Sequence, residues 1–320
     1  MQNSKMQLVL AFLVIIFSSA YSRSSQAQQQ AQGFAVERLY PSAPGGGWFV
    51  MDSLDMHGEL GGAVNFTIDH AHNPLVIHSS DGTQSLAVVS DQEIADVGLA
   101  ATYDRYRIYL NLSSPAYSRG DSGTIDSYAF TGPAVDFGSQ PDTLLDMRIG
   151  FDARIFGEAD GPFRLGAGAQ FLAPSGNRSD YESDGNYRGM ARLLVAGDVG
   201  SFTYSGQAGI HIRPLQDSPT PGSPQGNELI FGVAGGEKFT VGKNTAFIVG
   251  PEIYGASAFQ SFWKTPETAL EWLVTSRLEW TESNYRQIRT KLGVGAGISP
   301  QFGAPEWRVV LGLELSGWVK

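Results

Sequence analysis

Along most of the chain the apolar residues recur at every second position. In 55–69 (DMHGELGGAVNFTID), Met56, Gly58, Leu60, Gly62, Val64, Phe66 and Ile68 are apolar or small, while His57, Glu59, Asn65, Thr67 and Asp69 are mostly polar. A period of two marks a half-buried strand, and about 14 residues is well beyond the usual 5 or 6 of soluble strands. The pattern returns with Met147, Ile149, Phe151 and Ile155 on one face and Arg148, Asp152 and Arg154 on the other. It recurs in 164–171, 204–213, 271–280, 289–298 and 307–316, and less regularly around 97–101, 108–112, 191–195, 229–233 and 247–253. About twelve strands are expected, read with the usual anatomy of long alternating segments.

The connections between these segments alternate in length. Short ones fall at 103–106, 157–162, 198–201, 236–244 and 281–284, and mostly longer polar ones at 70–84, 113–142, 175–187, 214–226, 258–265 and 299–304. Short periplasmic turns alternating with long outer loops are the signature of an outer-membrane barrel. Lipid offers no partner to an unpaired strand edge, so such a sheet has to close. The fold class expected is therefore all-β, a closed antiparallel transmembrane barrel. Tyr103, Tyr106, Trp263, Trp272, Trp280, Trp307 and Trp318 lie near strand ends, where interfacial girdles sit. The competing fold is a soluble secreted β-sandwich acting as a binding module, which would have shorter strands.

The first residues break the pattern. Lys5 precedes an apolar run from Leu8 to Phe17, and a Ser-Gln-Ala step ends at Ala27. These are the charged, apolar and small-residue parts of a secretory signal peptide, with a run too short to span a membrane. Residues 28–47 (QQQAQGFAVERLYPSAPGGG) are polar, then proline- and glycine-rich. They read as unstructured. The expected organisation is a signal peptide over 1–27, a periplasmic lead-in over 28–52 and a barrel over 53–320.

Composition sharpens this. Glycine makes up 39 of 320 residues, and charged residues are only 17% of the chain. Helical bundles avoid glycine, and disordered chains carry more charge. The absence of cysteine excludes disulfide scaffolds and thiolate metal centres, and a net charge of −10 argues against nucleic-acid binding. Glycines on the inner face are expected to relieve crowding where the wall curves.

The few charges fall on the face opposite the apolar one. Arg148, Asp152, Arg154, Arg164, Arg213, Glu252, Glu271, Arg277, Glu279, Arg289, Lys291, Arg308 and Glu314 are the candidate lumen-lining set, with Glu59 and Asp146 sharing the face. Isolated charges in a narrow lumen are costly, so adjacent strands are expected to pair them. Two readings remain open: a plugged, salt-bridged barrel serving structure, or a water-filled pore selecting small polar solutes. Transport of hydrophobic compounds is a third.

The phrases GFAVERLYPSAPGGGWFVMDSLDMHG, NPLVIH, GDSGT, LLDMRIGFDARIFGEADGPFRLGAGAQFLAPSG, RLLVAGD and IVGPEIYG resemble, in order, the N-terminal barrel of large outer-membrane protein A-like proteins of Gram-negative bacteria. The resemblance covers nearly all of 28–320 and implies an outer-membrane location without catalytic residues or an established substrate. In that family an acidic calcium-type repeat and a peptidoglycan-binding domain often follow. Here the last strand segment runs to Lys320, so a cell-wall anchoring role is not carried over.

Other motifs are weak. Gly120-Asp121-Ser122-Gly123 matches a serine-protease phrase but lacks the upstream histidine context that a triad needs. His70, His72 and His78 cluster, and H-x-H on one strand face suits zinc or copper, but no carboxylate spacing in the sequence completes a site. Asp180, Glu182, Asp184 and Gly185 mimic the start of a calcium loop, yet Ala191 stands where a bidentate glutamate belongs. Gly293, Gly295 and Gly297 lie on a strand, which rules out a nucleotide-binding turn. An outer-membrane lipid-modifying enzyme would need a Ser-His pair on the lipid-facing side at the outer rim; His70 could sit there, but the outward serine of the clearer strands, Ser276, falls low on a descending strand. The overall expectation is a monomeric, non-enzymatic, porin-like barrel without cofactor or metal. Its partners are outer-membrane lipid, lipopolysaccharide and possible small solutes.

Overall fold

The computed structural model describes residues 29–138, 140, 143–215, 225–264, 268–283, 286–299 and 302–319. The proposed signal peptide lies outside them.

The chain forms β1 (Gln29–Gln30), β2 (Leu60–His78), β3 (Ser85–Tyr103), β4 (Tyr106–Arg119), β5 (Gly123–Ile125), β6 (Tyr128–Phe130), β7 (Ala134–Asp136), β8 (Met147–Phe156), β9 (Arg164–Ala173), β10 (Arg188–Val199), β11 (Phe202–Ile212), β12 (Glu228–Gly242), β13 (Thr245–Ala258), β14 (Thr268–Ser283), β15 (Arg286–Ser299) and β16 (Trp307–Val319). Twelve of these, β2 to β4 and β8 to β16, make one closed antiparallel wall. Closure comes from β16 on β2, with Trp307 opposite His72 and Val319 opposite Leu60, and from β4 on β8, with Tyr106 opposite Ala153. No wall strand keeps a free edge. At one end the strands join through tight hairpins, where Asp104 and Gly200 take the left-handed backbone that such turns require.

The alternation in the sequence becomes the two faces of this wall. Leu311, Leu313 and Leu315 on β16 point outward, as do Val64 and Phe66 on β2 and Leu292 and Val294 on β15. These side chains are about half exposed and form an apolar belt around a closed sheet, which is the surface lipid covers. Leu311 sits within it, flanked by Ile68 on β2 and Leu292 on β15. Leu311→Arg should therefore lower folding stability by about 2–4 kcal/mol in bilayers, read from urea unfolding after reconstitution.

Three expectations need correction here. Residues 70–78, expected in a long loop, continue β2, so the connection to β3 spans only 79–84. Glu59 is exposed and precedes β2 instead of lining the lumen. Of the seven aromatics assigned to girdles, Trp318 faces inward and stacks on His57 at 4.7 Å.

The largest correction concerns the lead-in. Residues 29–58 run through the barrel interior instead of lying outside it. β1 pairs in parallel with β6 at the long-loop end, and Asp104 N donates to Gly58 O at the hairpin end. Between these points the segment carries Phe34, Val36, Leu39, Trp48, Phe49, Val50, Met51, Leu54 and Met56, all at most 4% exposed. It has no periodicity because it has no constant neighbour on either side. At the long-loop end Phe34 and Val36 join Leu75, Ile77, Val88, Val89, Ile125, Phe130 and Phe302 in an apolar cap.

Wall glycines make room for this plug. A methyl group built on Gly293 would lie 2.9 Å from the Phe49 ring, and one on Gly312 would lie 3.1 Å from it. At these two positions glycine is set by the close approach of the plug more than by curvature of the wall.

Candidate functional site

The plug and the inner wall hold each other through polar contacts along the whole lumen. Near the middle, the plug turns back on itself between Ser42 and Phe49, with Ser42 N donating to Phe49 O at 2.7 Å. That turn exposes backbone groups that the plug cannot satisfy alone. The wall supplies partners. Glu252 on β13 accepts the amides of Phe49 and Val50, both at 2.9 Å, and the hydroxyl of Thr275 at 2.6 Å. Lys291 donates to Trp48 O at 3.2 Å, Arg289 to Gly45 O at 3.3 Å and Arg148 to Pro41 O at 2.6 Å. Arg154 donates to Leu54 O at 2.9 Å and to Met56 O at 3.0 Å.

Charged plug side chains dock in the same way. Asp52 receives Arg107 at 2.7 Å and Arg192 at 3.2 Å, and both arginines also contact Asp152, at 2.6 and 3.0 Å. Glu37 pairs with Arg308 at 3.0 Å, Arg38 with Glu228 at 3.0 Å and Asp55 with Arg164 at 2.7 Å. Arg277 lies 4.9 Å from the centre of the Trp48 ring. All of these groups are buried except the half-buried Asp55, so each buried charge depends on its partner for the solvation it has lost.

All thirteen residues expected on the lumen face are buried on the inner side, Arg213 just past the end of β11. Part of the expected strand-to-strand pairing is present: Arg289 joins Glu279 and Glu314, Arg308 joins Glu271 and Asp69, Arg213 joins Glu228, and Arg277 joins Glu279. The other part goes to the plug. The lumen-lining set left out Asp69, although it lies on the polar face of 55–69, and it left out Arg107, Arg188, Arg192, Asp96 and Glu228, which fall at or near the ends of segments whose alternation is less regular. It also missed Asp52 and Asp55, although the apolar residues Phe34, Val36, Leu39, Trp48, Phe49, Val50, Met51, Leu54 and Met56 were a signal that this stretch is not a solvated linker.

The weak motifs find other roles. Ser122 accepts the Gly132 amide at 2.9 Å within the longest loop. Asp184 does not turn toward Asp180; it holds Arg213 at 2.7 Å and the Ala35 amide at 2.8 Å, fixing the plug to the 174–187 loop. Two arginines beside it keep its carboxyl far below the ordinary range. Glu182 behaves oppositely: burial pushes its carboxyl up to about 8, aided by Asp180 and Asp146 nearby. The folded loop therefore favours the protonated acid, and stability present below about pH 4.5 is lost as pH rises through about 8. Hydrogen-exchange protection in 174–187, taken relative to the intrinsic rate at each pH, should fall across that window, and Glu182→Gln should flatten the dependence.

His70 and His72 face outward at the edge of the apolar belt. Their cross-strand partners are Glu93 and Asp91, with His72 Nδ1 2.8 Å from Asp91 Oδ1 and His70 Nδ1 3.3 Å from Glu93 Oε1. The structure thus supplies carboxylates that sequence spacing did not show, with Asp91 shared, since His70 Nε2 also lies 3.7 Å from its Oδ1. Ser276 also faces outward, yet β15 and β16 lie between its strand and that of His70. The Ser-His pair that a lipid-modifying enzyme would need is not formed by these two residues.

Below the plug, at the hairpin end, a polar cavity of about 740 Å³ opens. Asp55, His57, Asp160, Asp198, Lys238 and Arg289 are among its lining residues.

A closed wall, an apolar belt and a charged interior fix the setting. The chain is an outer-membrane β-barrel. In fold it is similar to an outer-membrane channel from Pseudomonas putida F1, with a TM-score of 0.53 and 12% identity over 82% of this chain and 97% of that one. The NanC porin aligns with a TM-score of 0.46 and 8% identity over 80% of this chain and 100% of the porin. LpxR from Salmonella typhimurium aligns with a TM-score of 0.38 and 10% identity over 80% of this chain and 100% of that one. No protein-family profile matches the sequence, and no curated protein matches it.

Proposed function

We propose that this protein is a monomeric, non-catalytic channel for small polar solutes in outer-membrane lipid and lipopolysaccharide, held closed at rest by residues 29–58. The observation that carries this reading is the kind of contact between plug and wall. Arg148, Arg154, Arg289, Lys291 and Glu252 bind plug backbone groups, and water can replace a backbone partner at each of them. The inner face would then remain a hydrated, charged lining.

Charge balance suggests the solute. Among the described residues the wall strands bury ten cationic side chains against eight carboxylates, and the plug brings Glu37, Asp52 and Asp55 against Arg38. The plug nearly neutralises the lining. Withdrawing it leaves a positive excess, which favours small anions. Kinship with outer-membrane protein A-like barrels is a finer reading, supported by the quoted sequence phrases.

The burial of Trp48, Phe49 and Met51 favours a second reading, a permanently sealed structural barrel. Planar-bilayer recording separates the two. The full chain should stay closed apart from rare openings, and a variant lacking 29–58 should conduct steadily with anion preference. A folded deletion variant that stays silent would sink the channel reading, and steady conductance of the full chain would sink closure by the plug.

A further inference from the structure

We propose that Asp55, His57 and Asp160 form a binding site for a divalent metal cation of the zinc class, tying the inner end of the plug to the β8–β9 hairpin. One ligand atom from each residue lies within 4.8 Å of the others, and no other such group occurs among the described residues. The three come from two separate parts of the chain: Asp55 and His57 from the plug, Asp160 from the hairpin between β8 and β9.

Each side chain is positioned by something other than a metal. The His57 ring stacks on Trp318 with an interplanar angle of 21°, which fixes its plane and directs Nε2 to within 3.5 Å of Asp160 Oδ2. The Asp160 backbone holds a left-handed φ of 56°, and its amide donates to Asp55 Oδ1 at 3.3 Å. Arg164 also pairs with Asp55, and an ionised carboxylate has lone pairs enough for both a guanidinium and a metal.

One imidazole and two carboxylates suit a borderline first-row ion better than magnesium or calcium, which favour all-oxygen sites. The cavity below leaves room for water to complete the coordination sphere. A bound ion would bridge plug and wall where the plug passes into β2. This extends the closed-channel reading, but only the consequence for opening rests on it.

The test is calorimetric titration of Zn²⁺ into the full chain folded in detergent micelles. One ion per chain is expected, with affinity at least about tenfold weaker in His57→Ala and in Asp160→Asn, since loss of even an outer-shell partner costs that much. The His70→Ala/His72→Ala double variant should bind as tightly as the native chain, which separates this site from the outward histidines. Asp160 is on an exposed turn, so Asp160→Asn tests the ligand without disturbing the core. Absence of saturable Zn²⁺ binding overturns the proposal, as does unchanged binding in both single variants. Titration reads the closed protein, so failure of the channel reading in bilayer recordings leaves its outcome intact.

Discussion

Replacing Asp52 with alanine should destabilise the folded barrel by about 3–5 kcal/mol, the loss typical when one partner of a buried ion pair is removed. Asp52 is 1% exposed and accepts both Arg107 and Arg192. Without it, two guanidiniums face the lumen centre with Asp152 as their one shared carboxylate, Arg192 keeping only the neutral Gln207 and Tyr109 besides. Its other contact, the Ala43 amide at 3.2 Å, closes the turn of the plug and would be lost as well. Urea unfolding in micelles should show the stability change, and bilayer recording of the same variant should show frequent openings. Asp52→Asn keeps an acceptor but removes the charge, so it should fall between the native chain and Asp52→Ala in both measurements. A native-like unfolding midpoint for Asp52→Ala would mean that the two arginines are satisfied without the plug.

The second large effect is apolar. Phe49→Ala should cost about 3–5 kcal/mol, combining lost transfer energy with a cavity that a stiff wall does not refill. Phe49 is 1% exposed and lies between Gly293 on β15 and Gly312 on β16, with Lys291 Nζ 5.3 Å from its ring centre. Neither glycine has a side chain that can move into the gap. Leucine at this position should restore more than half of the loss, because it fills volume without needing the ring. If Phe49→Ala unfolds like the native chain while the outward Leu311→Arg does not, the wall is stable without the packed plug.

These two variants probe different bonds between the same partners. Asp52 reports on charge that the lining shares with the plug, and Phe49 on shape. A gate that opens readily would lean on the first, whose partners water can replace. A permanent seal would lean on the second, whose apolar surface water cannot satisfy.

The twelve wall strands were legible because lipid and lumen impose opposite demands on successive residues. Leu311, Leu313 and Leu315 alternate with Arg308, Gly312 and Glu314 for that reason, and the thirteen charged positions could be assigned to a face from the sequence alone. The strand ends were less legible. His70 and His72 are polar yet outward, because β2 continues past the apolar belt, where alternation no longer separates lipid from lumen.

The sequence by itself determined the wall, its two faces and the alternation of short and long connections, since a period of two is a local property that each strand carries. Only the tertiary structure decided what fills the barrel. Residues 29–58 meet a different neighbour at nearly every position: Arg308 at Glu37, Glu252 at Phe49, Arg107 and Arg192 at Asp52, Arg164 at Asp55. No period can record such a path. The partners converge from strands distant in sequence, and they do so only once the sheet has closed around the segment.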